Sequence, residues 1–166
     1  MLDGRLRKPF YRRMRHSDPM TDETICSTPE ETFDLGTQLS SELRTGDVIL
    51  LSGELGAGKT LLTKGILHGL GYDVDEVTSP SFTLVNLYKV EDLNIYHIDL
   101  WRLDGKADAA AGVGLDEILD DPKAIAIIEW PDRLASIPKA KRLIRISITG
   151  DGEDAREVRI EFPDEL

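Results

Sequence analysis

The apolar positions of this chain change period several times, and each change predicts an element. Leu35, Leu39 and Leu43 recur every four residues through a polar stretch, the spacing of a helix with one buried face. Thr28-Pro29-Glu30-Glu31 supplies its start: a hydroxyl cap, a proline at the first helical position and a glutamate that closes a capping box. Gly46 is its expected stop. Asp47–Ser52 then holds Val-Ile-Leu-Leu, a short unbroken apolar run of the kind buried on both faces of a parallel sheet. Lys59–Leu70 returns to helical spacing through Leu62, Ile66 and Leu70.

Farther on, Phe82–Val90 and Leu93–Leu100 predict a hairpin around Glu91-Asp92. Residues Asp104–Gly114 are small and polar and predict a loop, followed by a short helix at Leu115–Leu119. Ala124–Ile128 is a second fully apolar strand, and Pro131–Ser136 a turn or short helix. Arg142–Ile148 and Val158–Phe162 alternate apolar and polar side chains, with the turn between them at Gly150–Asp154. The fold class is therefore α/β, a parallel core with antiparallel strands added around it.

The strongest chemical signal lies between the first apolar strand and the second helix. Gly53-Glu54-Leu55-Gly56-Ala57-Gly58-Lys59-Thr60 satisfies G-x-x-x-x-G-K-[ST], and the strand before and helix after are the context that motif requires. Glycines let backbone N–H groups turn inward around phosphates, and the helix N-terminus adds donors and a positive dipole end. Lys59 supplies charge for the outer phosphates, and the Thr60 hydroxyl is placed for Mg²⁺. The expected fold sharpens to a P-loop NTPase-like three-layer α/β sandwich with a mixed sheet. The expected nucleotide contacts are Glu54, Leu55, Gly56, Ala57, Gly58, Lys59, Thr60, Leu61 and Trp130, with ATP and Mg²⁺ as the bound species.

Such enzymes need an acid at the end of a neighbouring buried strand. Two strands deliver one: Ile95-Tyr96-His97-Ile98-Asp99, and Ala124–Ile128 followed by Glu129. The second is the more apolar and so expected beside the P-loop strand. Glu129 is accordingly assigned to the metal with Thr60, directly or through a water. Asp99 is assigned, with Lys59, a catalytic part, on the attacking water or as a switch. Ser79-Pro80-Ser81-Phe82-Thr83 supplies hydroxyls that would suit a segment folding over a γ-phosphate. His97 reads first as a structural strand histidine.

Charge narrows the partners. The chain of 166 residues has 20 basic and 31 acidic side chains, for a formal net charge of −11. Residues 1–16 hold six basic side chains and one acid, so they carry +5 and the remainder −16. We read residues 1–20 as a disordered basic arm and 21–166 as a single domain. An acidic body argues against direct wrapping of nucleic acid, DNA included. No apolar run approaches the roughly 20 residues of a spanning helix, so no membrane contact is expected. The single cysteine, Cys26, excludes an internal disulfide and fits a reducing, cytoplasmic setting.

Taken together, these motifs resemble the TsaE family (also called YjeE), small ATPases of the bacterial system that makes threonylcarbamoyladenosine in tRNA. The resemblance rests on residues 53–60, Ser-Pro-Ser-Phe-Thr-Leu at 79–84, His-Ile-Asp-Leu-Trp-Arg-Leu at 97–103, Gly-Leu-Asp-Glu at 114–117 and Ile-Glu-Trp-Pro at 128–131. Two departures are visible: Ser81 stands where the family usually has threonine, and Trp101 where it usually has tyrosine. The resemblance implies Asp99 needed for activity, Trp130 near the nucleotide, and Thr28–Thr32 near the adenosine; slow hydrolysis by the isolated chain is expected because the sequence shows no obvious arginine finger apart from Arg102. It implies the transferase TsaD and its companion TsaB as partners, with tRNA reached through that complex. A small-molecule kinase is the alternative, though 104–114 lacks the arginines of a kinase lid. A GTPase is disfavoured because no Asn-Lys-x-Asp guanine-reading sequence is present.

Overall fold

The computed structural model describes residues 21–103 and 108–162. The arm expected over 1–20 and the first part of the loop expected over 104–114 lie outside them. In chain order the elements are β1 (Thr21–Cys26), α1 (Pro29–Ser40), β2 (Asp47–Gly53), α2 (Lys59–Gly69), β3 (Val85–Val90), β4 (Leu93–Asp99), α3 (Ala109–Gly112), α4 (Leu115–Asp120), β5 (Ala124–Glu129), β6 (Arg142–Thr149) and β7 (Arg156–Glu161). The strands form one sheet in the order β1-β7-β6-β2-β5-β4-β3. Neighbours within β6-β2-β5-β4 are parallel. The outer strands β3, β7 and β1 are each antiparallel to their inner neighbour.

The mixed α/β sandwich expected from the pattern is thus present. Its two apolar strands are the two central ones, because only central strands bury both faces. Ile49 and Leu51 of β2 join Leu35, Leu39, Leu62 and Ile66 beneath α1 and α2. Val48 and Leu50 point the other way, into a second cluster with Leu115 and Ile118 of α4. Each such side chain contributes roughly 1.5–3 kcal/mol when fully buried, so these strands anchor the fold.

Helices α1 and α2 pack backbone to backbone. A Cβ on Gly36 would collide with the Leu62 carbonyl, and one on Gly65 with the Phe33 carbonyl. The Thr37 hydroxyl donates across this contact to the Gly65 carbonyl at 3.2 Å. The close approach fixes the axis of α2, and with it the direction in which the loop before α2 opens.

Several boundaries differ from the sequence reading. Helix α1 ends at Ser40 rather than near Gly46. Ser40 and Ser41 donate their hydroxyls to the Thr37 and Gln38 carbonyls, at 2.7 and 2.8 Å, which competes with continuing the helix. The hairpin starts at Val85, not Phe82, because residues 80–84 close a turn through Leu84 N–H to the Pro80 carbonyl at 2.7 Å. Part of the expected 104–114 loop is the short helix α3, capped by Asp108. Strand β1 has no counterpart in the hydrophobic pattern, because it is an edge strand on which only Cys26 is buried.

Candidate functional site

The site is built at the C-terminal ends of the parallel strands, where open α/β sheets form their crevices. Strand β2 runs into the glycine-rich loop, and the loop runs into α2. Gly56 (φ +81°) and Gly58 (φ +106°) hold the left-handed backbone that turns the loop. The first backbone bond of α2 runs from Leu62 N–H to the Gly58 carbonyl. The amides of Lys59, Thr60 and Leu61 therefore precede the helical ladder and form its electropositive end. Gly58 caps the helix with no side chain, which leaves that end open to an anion.

A cavity of about 460 Å³ sits over this end. Of the residues expected from sequence, Leu55, Gly56, Gly58, Lys59, Thr60, Leu61, Asp99, Glu129 and Trp130 all line it. The side chains of Glu54 and Ala57 do not. Glu54 is exposed and Ala57 is fully buried beneath the loop. The Ala57 amide is bonded within the loop to the Glu54 carbonyl at 3.1 Å, so it is not aimed at the cavity.

Strand β5 lies between β2 and β4, and Glu129 is in register with both Leu51 and Asp99. Glu129 therefore stands one strand from the P-loop strand and Asp99 two. Both carboxylates are almost fully buried. Burial raises the Asp99 pKa, and the Glu129 charge adds to the rise, while the Trp101 N–H at 2.9 Å opposes it. The second Asp99 oxygen accepts from the Ser79 hydroxyl at 3.4 Å. One turn farther, Arg102 donates to the Ser81 carbonyl and stacks on Phe82. The segment 79–83 is thereby tied to the end of β4 at two points.

Lys59 is buried among these acids. Its ammonium donates to the carbonyls of Gly53 and Glu54, at 2.6 and 2.9 Å, and lies 4.4 Å from the Trp130 ring. Burial lowers its pKa, and Glu129, Asp99 and Glu54 act against that fall. Trp130 itself adopts a left-handed backbone (φ 59°), and its ring lies 4.5 Å from that of Trp101.

Two residues of this constellation escaped the sequence reading. His97, taken as structural, contacts Glu129 at 2.7 Å in the interior. Its position two residues before Asp99 on one strand was the available signal, since alternate residues share a face. Arg156 reaches the outer side of the P-loop from the start of β7. Nothing in the local sequence marks it, because the contact spans about a hundred positions.

The donor set suits Mg²⁺: a threonine hydroxyl and two carboxylates, all hard oxygens. Among the described residues no group of three His, Cys, Asp or Glu side chains forms a self-sufficient metal cage.

A family model described as threonylcarbamoyl adenosine biosynthesis protein TsaE matches residues 26–158. The chain belongs to the TsaE family. It is 41% identical over 104 residues to the tRNA threonylcarbamoyladenosine biosynthesis protein TsaE of Synechocystis sp., covering 62% of this chain and 66% of that one. To the proteins of the same description from Bacillus subtilis and Nostoc sp. it is 36% and 35% identical, over 78% and 86% of each chain. The fold is similar to the crystal structure of Bacillus subtilis YdiB, with a TM-score of 0.66 and 29% identity over 89% of this chain and 88% of that one. The family match takes in the P-loop, Asp99, Glu129 and Arg156, and leaves residues 1–25 outside.

Proposed function

We propose that the protein is a Mg²⁺-dependent ATPase serving as the energy-using accessory subunit in formation of threonylcarbamoyladenosine next to the tRNA anticodon. Membership in a family described by that biosynthesis supports the pathway. The observation that carries the chemistry is the convergence of Lys59, Thr60, Asp99 and Glu129 on one cavity at the open end of α2.

In this reading the loop amides and the N-terminus of α2 bind the triphosphate. Lys59 exchanges its contacts with the Gly53 and Glu54 carbonyls for phosphate oxygens, drawn by their full charge. Thr60 and Glu129 hold Mg²⁺, which when bound neutralises charge developing on the phosphates. Asp99 orients the attacking water, or reports the γ-phosphate to the 79–83 segment through Ser79. Trp130 lies beside the bound nucleotide. No described helix is long and apolar enough to cross a membrane, and we place the protein in the cytoplasm with its tRNA substrate complex. TsaD and TsaB are the proposed partners, and tRNA is reached through them.

The experiment is a pull-down with ATP and Mg²⁺ joined to a phosphate-release assay. Capture of TsaD and TsaB, and release of phosphate to water that the partners accelerate, is the expected result. Phosphate transferred to a small acceptor would instead favour a kinase.

A further inference from the structure

We infer that Arg156 is a positioning residue for the phosphate-binding loop, holding it from outside in the form that receives a nucleotide. The inference rests on the reading of that loop as a phosphate site. A loop that turns its N–H groups inward must turn carbonyls outward, and those carbonyls need partners of their own. Arg156 supplies them. Its Nε donates to the Ala57 carbonyl at 2.8 Å and its Nη2 to the Gly56 carbonyl at 3.3 Å. The same guanidinium bonds the Gly152 carbonyl at 3.0 Å, and Nη1 donates to the Asp154 carbonyl. One planar side chain thus ties the turn between β6 and β7 to the loop between β2 and α2.

Two features make this more than surface decoration. The chain is acidic, yet among the described residues Arg156 has no carboxylate partner within ion-pair distance. All three of its nitrogens donate to backbone carbonyls. The peptides it grips also lie between Gly56 and Gly58, whose freedom of backbone makes the loop costly to order. A restraint present before the ligand arrives lowers the ordering that binding must supply. Lysine can replace it only in part, since a single ammonium lacks the flat fork that meets carbonyls on two separate segments.

The test is calorimetric titration of ADP with Mg²⁺ into the parent protein and the variants Arg156→Ala, Arg156→Lys and Arg159→Ala. Arg159 is the control: it lies on the same strand and carries the same charge, but pairs with Glu161 and Glu23 on the open face of the sheet. Arg156→Ala is expected to weaken ADP by roughly tenfold, with Arg156→Lys between it and the parent. Arg159→Ala should stay within about twofold. In the nucleotide-free protein, amide exchange at residues 56–60 should quicken in Arg156→Ala while the core strands keep their protection, a change that general destabilisation does not produce. Should Arg156→Ala not fold, Arg156→Gln takes its place. Parent-like ADP affinity in the Arg156 variants, or an equal loss in Arg159→Ala, overturns the inference. Failure of the parent to bind ADP would instead overturn the ATPase reading.

Discussion

The imidazole Nε2 of His97 lies 2.7 Å from Oε1 of Glu129, with both side chains shut off from solvent. A carboxylate only accepts, so Nε2 carries the proton of this bond. The other ring nitrogen, Nδ1, has no hydrogen-bond partner among the described residues. One oxygen of Glu129 is thus held by β4, which fixes the direction of the other. Removing the histidine frees the carboxylate to rotate. With Glu129 as the proposed metal ligand, His97→Ala should weaken Mg²⁺-supported nucleotide binding by about 10–100-fold, the usual effect of losing a ligand's orienting partner. His97→Gln retains a donor and should recover part of it. An unchanged Mg²⁺ requirement in His97→Ala would remove His97 from the working site.

Lys59→Ala deletes the only cation, among the described residues, that both lines the cavity and is bonded to the loop itself. ATP turnover, measured with partner proteins present, should fall by about 10²–10³-fold, as for loss of one donor to a developing anion. Retained turnover would show that the loop amides suffice.

Burial raises the Asp99 pKa above the ordinary carboxylate value, and the Glu129 charge adds to the rise. The folded state therefore binds this proton more tightly than the unfolded state. Stability falls as pH rises from about the unfolded value through the raised one, and the cost is complete above it. Asp99→Asn should melt higher than the parent at pH 7, with the advantage vanishing below about pH 4, and should be inactive. A lower melting temperature at pH 7 would mean that the hydrogen bonds from Ser79 and Trp101 outweigh the burial.

Both tryptophans of the chain meet at this site, so nucleotide binding should change intrinsic fluorescence. Trp130 carries the contact to the Lys59 ammonium, which in the proposed function turns to phosphate. Trp101→Phe should keep most of the signal and Trp130→Phe should lose it. The reverse pattern would place the reporting ring on Trp101.

The helix pair beneath the site gives a test of packing alone. Gly36→Ala pushes a methyl group into the α2 backbone at Leu62 and Ile66, and should cost about 1–3 kcal/mol in denaturant titration. Gly112→Ala, with open space around its Cβ, should cost nothing or stabilise by up to about 1 kcal/mol.

What the sequence determined by itself is local. The P-loop is a continuous stretch whose chemistry follows from glycine, lysine and threonine in fixed order. The helix cap at Thr28 is likewise local: its hydroxyl accepts from Glu31 N–H at 3.2 Å, whereas the Glu31 carboxylate accepts from Ser27 N–H at 2.6 Å, one residue before the partner a capping box would use. The unbroken apolar runs at 48–51 and 124–128 named the two central strands, because only strands covered on both faces can be apolar throughout. Glu129 was legible as a strand-end acid for the same reason, and Asp99 as the acid near the end of a hairpin strand. The tertiary structure decided what depends on register and on distant approach. Strand β1 is polar because it borrows its order from β7 rather than from its own side chains. His97 became a partner of Glu129 only when β4 and β5 paired in parallel with His97 opposite Ile127. Arg156 became part of the phosphate loop only when β7 folded back against β6. Periodicity reports which face of an element is buried; it carries no information on which polar side chain of one element meets the backbone of another.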